Sequence, residues 1–273
     1  MRLAMTRFGL LIVLVLAGAG TQAAPAADLW PFWDASDESS STRVDHQPWQ
    51  RLLDRYLVVT ETPPTLFRYD AVTAEDRAAL DDYLASLAAI DPRTLARAEQ
   101  LPYWINLYNA LTVQVVLDHP AEDSIRDMGD GFFRPGPWND DLVRIAGEDL
   151  TLNDVEHRIL RPIWNDHHIH FVVNCASIGC PSLAARAYTR ENTRELMEQG
   201  ERRYLNDPRG LDFLPDGRLQ LSSIFDWYQA DFGNDRDALL GYLAEQRPDL
   251  ATRLQGYDSS IAYHYDWSLN DAP

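Results

Sequence analysis

The chain has two cysteines, Cys175 and Cys180, both in the run Asn174-Cys175-Ala176-Ser177-Ile178-Gly179-Cys180-Pro181. Two chemistries suit the pair. In an oxidising compartment, the intervening residues, Gly179 among them, let the cysteines approach the Cα separation of about 4.4–6.8 Å that a disulfide needs. In the other chemistry, Cys175 stands where the apolar run Ile169–Val173, read as a strand, leaves its sheet. A sulfur there projects beside free backbone N–H groups and can attack an amide or ester carbonyl.

A free thiol titrates at about 8.5, so the second chemistry needs a base near neutral pH. His157, His170 and His264 are the candidates. His157 adjoins Glu156, and Arg161 one helical turn on holds its ring neutral and basic; it is the first choice. His170 lies five residues before Cys175 on the same expected strand, which puts the two side chains on opposite faces. His264 follows the cysteine in the chain order common among thiol hydrolases. Glu156, His157, His170 and Cys175 have ligand chemistry, but no H-E-x-x-H or paired C-x-x-C spacing supports a metal, so no cofactor is expected. The C-x-x-C spacing and βαβ pattern of thioredoxin-like redox pairs are also missing.

These residues must be carried by elements that the hydrophobic pattern marks out. Trp49, Leu52, Leu53 and Tyr56 recur at helical spacing, as do Leu80, Tyr83, Leu84 and Leu87 behind the cap Thr73. Asp91-Pro92 opens a short helix expected to end before Pro102. The stretch Pro102–Leu117 is apolar on every face, which predicts a buried helix, yet it carries Asn106 and Asn109, whose amides need interior partners. Leu142–Leu150 reads as a hairpin, Leu152–Leu160 as a helix stopped by Pro162, and 190–204 as another helix. Leu211–Leu221 is a hairpin turning at Pro215-Asp216-Gly217. Helices over Ile224–Phe232 and Arg236–Glu245 and a closing strand at 261–265 complete the pattern.

Charge and composition narrow the function. With 24 Lys plus Arg against 42 Asp plus Glu the net charge is −18, which excludes a nucleic-acid binder working through clustered cations. Arg2 and Arg7, the apolar run Phe8–Ala17 and the small residues to Ala24 have the layout of a secretory signal over 1–24. The run is too short to span a bilayer, so no stable membrane insertion is expected, and cleavage near Ala23 or Ala24 places the mature chain in the periplasm or medium. Residues 25–46 show no apolar period and read as a flexible tether. The folded domain is expected over 47–270.

Several signatures occur in order: Tyr103 to Ala110, Ser124 to Asp127, Asp154 to Arg161, His170-Phe171, Asn174 to Pro181, Leu221 to Tyr228 and Tyr265 to Asn270. In these the chain closely resembles the domain-of-unknown-function 547 family from about Trp49 to Asn270. The resemblance implies one such domain and supplies no activity. It also implies that the cysteine at Cys175 is the better candidate for chemistry, with Cys180 in support. Papain-like and transglutaminase-like folds put their nucleophilic cysteine at the start of the central buried helix. Pro102–Leu117 has none, so in a fold of that kind Asn106 or Asn109 lines the site.

The sequence thus predicts an α+β protein, a single mainly helical domain around a small, largely antiparallel sheet with one fully buried central helix. Its expected activity is thiol-dependent acyl transfer on an amide or ester, using Cys175 with His157, Glu156, Asn106 and Asn109. The alternative is a non-catalytic binding domain with a structural Cys175–Cys180 disulfide. Either reading takes a small-molecule, peptide or glycan ligand.

Overall fold

A computed structural model describes residues 25–60, 62–129 and 136–272. The export segment expected over 1–24, and the aromatics Phe132 and Phe133, lie outside the described residues.

Helix α1, Gln47–Tyr56, buries Trp49, Leu52, Leu53 and Tyr56, the i, i+3, i+4, i+7 face of its sequence. The two-residue strands β1, Leu57–Val58, and β2, Leu66–Phe67, pair antiparallel. Helix α2, Ala74–Ala88, starts at Thr73, whose hydroxyl accepts the Asp76 N–H. Helix α1 packs on α2 and α2 on α3, Arg97–Asp118, where Tyr103, Ile105, Leu107 and Ala110 are fully buried together with Asn106 and Asn109. The all-round burial read from the sequence is therefore observed. The break expected before Pro102 is not. Only a 3-10 turn, Pro92–Thr94, precedes α3, and the helix runs straight through the proline. Pro102 sits in the second turn, where its missing N–H costs one internal bond, and burial on both flanks outweighs that loss.

Strands β3, Val143–Ile145, and β4, Glu148–Leu150, form the expected hairpin, with Ala146 (φ 49°) and Gly147 (φ 91°) in the left-handed turn that matches strand twist. Thr151 and Asp154 then cap each other: the Asp154 N–H donates to Thr151 Oγ1 at 3.0 Å and the Thr151 N–H to Asp154 Oδ2 at 3.1 Å. The helix they start is a π-helix, Asp154–Leu160, continuous with α4, Arg161–Trp164. Pro162 does not stop it: the helical backbone runs on through the proline to Trp164, giving up only the one N–H that proline lacks.

The strand expected over Ile169–Val173 is a 3-10 helix, His167–Phe171. A short run buried on every side looks the same in sequence whether it is strand or helix. Here Asp166 caps it by accepting the His168 N–H, and among the described residues no strand pairs with it. Helix α5 covers Thr193–Leu205. Strands β5, Leu211–Phe213, and β6, Leu219–Ser222, pair antiparallel. The helix expected over 224–232 divides at Tyr228 into α6, Ile224–Trp227, and α7, Gln229–Phe232. Helices α8, Arg236–Gln246, and α9, Ala251–Gln255, precede β7, Ala262–His264, which joins β6 in parallel. The architecture is α+β as expected. Among the described residues its strands form three small sheets, antiparallel except for β6–β7. No helix among the described residues is long and apolar enough to cross a membrane.

The segment 25–46, expected as a tether, is packed on the domain. Trp33 is 1 % exposed and meets Trp104 of α3 edge-on at 5.3 Å. The Asp28 and Trp30 N–H groups donate to His157 O and Arg158 O, and Arg97 pairs with Asp34 at 2.8 Å. Its anchors are isolated aromatics and backbone hydrogen bonds, so no apolar period announced it. Replacing Trp33 with Ala should cost about 3–5 kcal/mol in urea unfolding, whereas a loose tether would leave stability unchanged.

Candidate functional site

The thiol-bearing loop is held by side-chain amides from the core. Asn109 on α3 donates from Nδ2 to Val172 O at 2.9 Å and accepts the Asn174 N–H at 2.8 Å. Asn174 in turn accepts the Ala176 N–H at 2.9 Å and donates to Pro181 O at 2.8 Å, tying the two ends of the loop together. Ala176 sits at φ 57°, a left-handed conformation that costs a non-glycine residue on the order of 1 kcal/mol and turns the chain directly after Cys175. The far side of the loop leans on the C-terminal segment. Ile178 N–H donates to Ser268 O at 2.8 Å and Gly179 N–H to Asp266 O at 2.7 Å. A Cβ on Gly179 would lie 2.7 Å from Asp266 N, so glycine is required here by close backbone approach.

This framework places the half-buried Cys175 sulfur 3.0 Å from Cys180 Sγ, 3.1 Å from Tyr265 Oη and 3.2 Å from Ser177 Oγ. Both cysteines are free thiols. The Cys180 hydrogen bond, joined by those of Ser177 and Tyr265, holds the Cys175 thiol down at about 7 although burial and the charge of Glu156 push it up. Burial, reinforced by Cys175, pushes the Cys180 thiol well above its ordinary value. One sulfur is poised as a thiolate near neutral pH, and its neighbour is kept as the donor.

The expected base is not at the sulfur. Among the described residues, the partners of Cys175 Sγ include no imidazole. His157 accepts from Arg161 at Nδ1, 3.1 Å away, and burial pushes its pKa below the ordinary imidazole value, so the ring is neutral as its spacing from Arg161 implied. His264 is exposed on β7. His170, set aside on the strand argument, has instead the best-oriented ring. Its Nε2 lies 2.6 Å from Asp231 Oδ2, its face stacks on Tyr228 at 4.2 Å, and Arg161 Nε meets the same Asp231 oxygen at 2.7 Å. Although burial opposes it, hydrogen bonds from His170 and Arg161 hold the Asp231 carboxyl well below the usual range. Glu156 lies beside this group, with Oε1 3.8 Å from His170 Nδ1 and Oε2 accepting from Tyr108 at 3.2 Å. Tyr108 is pushed up by burial, then by Glu156 and Cys175, so it feels both the ionic group and the thiols.

Asn106 and Asn109 are braces. Asn106 donates to Tyr188 O at 2.7 Å and accepts the Tyr188 N–H at 3.0 Å, and both polar atoms of Asn109 are spent on the 172–174 backbone. Sequence reasoning missed Ser177, Tyr265, Tyr228 and Asp231 as site residues. Tyr265 and Tyr228 stand in signatures noted from the sequence, but Tyr265 reaches Cys175 across 90 residues and no local spacing rule pairs them. A cavity of about 90 Å³ lies on the α5 side, lined by Phe171, Ser182, Tyr188 and Tyr204 among others; Cys175 does not line it.

Asp166, His167 and His168 have the composition of a metal site. Their geometry does not suit one ion, because the two rings stack at 4.2 Å and 27°, and lone pairs lying in nearly parallel planes do not converge on a common point. They form an ion cluster on α5: His168 lies 2.6 Å from Asp166 and 3.3 Å from Glu201, and His167 lies 2.9 Å from Glu201.

Fold and site together define a mainly helical α+β domain in which buried amides present a poised thiol. Residues 92–205 match the sequence model of the family described as "Protein of unknown function, DUF547", which supports the resemblance read from the motifs. The match runs from the turn before α3 to the end of α5 and includes Cys175 and Cys180; Asp231 and Tyr265 lie beyond it. No curated protein and no solved structure matches the chain.

The ion cluster generates a pH dependence. Burial disfavours charge on His168, but hydrogen bonds to Asp166 and Glu201 prevail and raise its pKa to about 9. Against an unfolded value of about 6.5, the stabilisation is complete below about pH 6.5 and is lost as pH rises through the folded value. The urea midpoint should fall over that window, and the slope should vanish in His168→Gln.

Proposed function

We propose that the chain is a thiol-dependent acyl-transfer enzyme, a hydrolase or transferase on an amide or ester, with Cys175 as its nucleophile. The observation that carries the reading is the poise of Cys175: a partly buried residue whose sulfur has three hydrogen-bonding partners and whose thiol is held at about 7 without an imidazole. A thiolate near its own pKa at neutral pH is a competent attacking group. It adds to the carbonyl carbon, forming a C–S bond while the π electrons move to oxygen. The Ser177 and Tyr265 hydroxyls can follow that charge from sulfur to oxygen. Collapse expels the alkoxide or amine, which takes the phenolic proton of Tyr265, kept on the ring by burial. Water or a second nucleophile then cleaves the thioester and returns a proton to Tyr265. Glu156 acts only at a distance in this scheme, through the charge it exerts on the thiol, and His157 has no part in it.

The leader sequence supports export to the periplasm or medium. The strongly negative chain favours a neutral or cationic ligand, whether small molecule, peptide or glycan. A second reading, a binding domain stapled by a Cys175–Cys180 disulfide, draws on the 3.0 Å separation of the sulfurs. The two readings part in one experiment. The chain has no lysine, so an activated acetyl ester meets no side-chain amine. Reduced protein treated with p-nitrophenyl acetate at pH 7 should gain one acetyl group on Cys175 and turn it over, with Cys180→Ser still labelled and Cys175→Ser not. Absence of acetyl-Cys175 in the reduced, folded protein would remove the acyl-transfer reading.

A further inference from the structure

We infer that Cys175 and Cys180 carry a second activity, thiol–disulfide exchange with small disulfide compounds, in which Cys175 attacks and Cys180 resolves. Three observations support it. The sulfurs lie 3.0 Å apart, so closing to a bond of about 2.05 Å asks for a shift of about 1 Å. The loop between them is already closed at its ends by the Asn174–Pro181 hydrogen bond, so little chain entropy is lost on bridging. Access is one-sided: Cys175 is half-buried, whereas Cys180 is 4 % exposed, with its thiol directed at Val173 O and at Cys175. An external disulfide therefore meets Cys175 first.

The step balances as follows. The Cys175 thiolate attacks one sulfur of RS–SR; a new S–S bond forms, the reagent's bond breaks and one thiolate leaves. Cys180 then attacks the Cys175 sulfur of this mixed disulfide, closing the Cys175–Cys180 bond. The second thiolate departs and takes up the proton that Cys180 gives up. Starting from the Cys175 thiolate, the protein loses two electrons and the Cys180 proton, and the reagent gains them, leaving as one thiolate and one thiol. The thiol poised near neutral pH suits Cys175 to the attacking role, because thiolate fraction and intrinsic nucleophilicity are best balanced there.

The inference shares Cys175 with the acyl-transfer reading but needs no acyl step. Reduced full-length protein is mixed with excess dithiodipyridine at pH 7, released pyridinethione is followed by absorbance, and the products are mapped by peptide mass spectrometry. Wild type should release two thiones per chain, the second faster than the first, and yield a Cys175–Cys180 peptide pair. Cys180→Ser should release one and keep a stable adduct on Cys175. Wild type that stops with adducts on separate cysteines, or that reacts first at Cys180, overturns the inference. Acetylation of Cys175 by the ester together with such a result would leave acyl transfer standing and exchange refuted; bridging without acetylation would do the reverse.

Discussion

The carboxamide of Asn109 is where the buried helix takes hold of the chain that bears the thiols. A helix enclosed on every face cannot leave an amide unpaired without losing about 1–3 kcal/mol. Asn109 resolves this by gripping the backbone on both sides of Val173, one bond given and one received. The segment so held enters the loop at a fixed point. From there Asn174 ties the loop's ends, Ala176 turns it, and the 266–270 segment closes its far side.

The position of Cys175 follows from that chain of constraints, and its chemistry follows from its neighbours. Burial alone raises a thiol's pKa. Three hydrogen bonds reverse the sign here, and they come from within the loop and from the C-terminal segment that the loop docks against. Tyr265 is kept in place by Trp227 and Trp267, whose rings stand 4.9 and 4.6 Å away. The ionic group of Glu156, His170, Asp231 and Arg161 supplies no hydrogen bond to the sulfur, and within it Glu156 acts on the thiol through charge. The π-helix that carries Glu156 and His157 is also where the 25–34 segment attaches. That arrangement couples the N-terminal strap to the same part of the core.

Much of the fold was legible because periodic burial writes itself into sequence: α1, α2, the buried α3 and both hairpins follow their patterns. Legibility failed where burial is all-round or contacts are sparse. Ile169–Val173 has no polar face to distinguish strand from helix, and the 25–46 strap is held by single tryptophans and backbone bonds. Pro102 and Pro162 were read as stops because a proline's cost is local, whereas the packing that outweighs it is not. Of the site, Cys175, Cys180 and the bracing amides could be named from residue type. Tyr265 and Asp231 could not, since each meets its partner only through tertiary docking.

The central claim is that Cys175 is held as a thiolate by Cys180, Ser177 and Tyr265. The most direct measurement is the ultraviolet absorbance of the thiolate across pH in reduced protein, taken as the difference between wild type and Cys175→Ser. The account predicts an inflection near pH 7 that moves upward in Tyr265→Phe. An inflection at about 8.5, the value of a free cysteine, and unmoved by Tyr265→Phe, would contradict it.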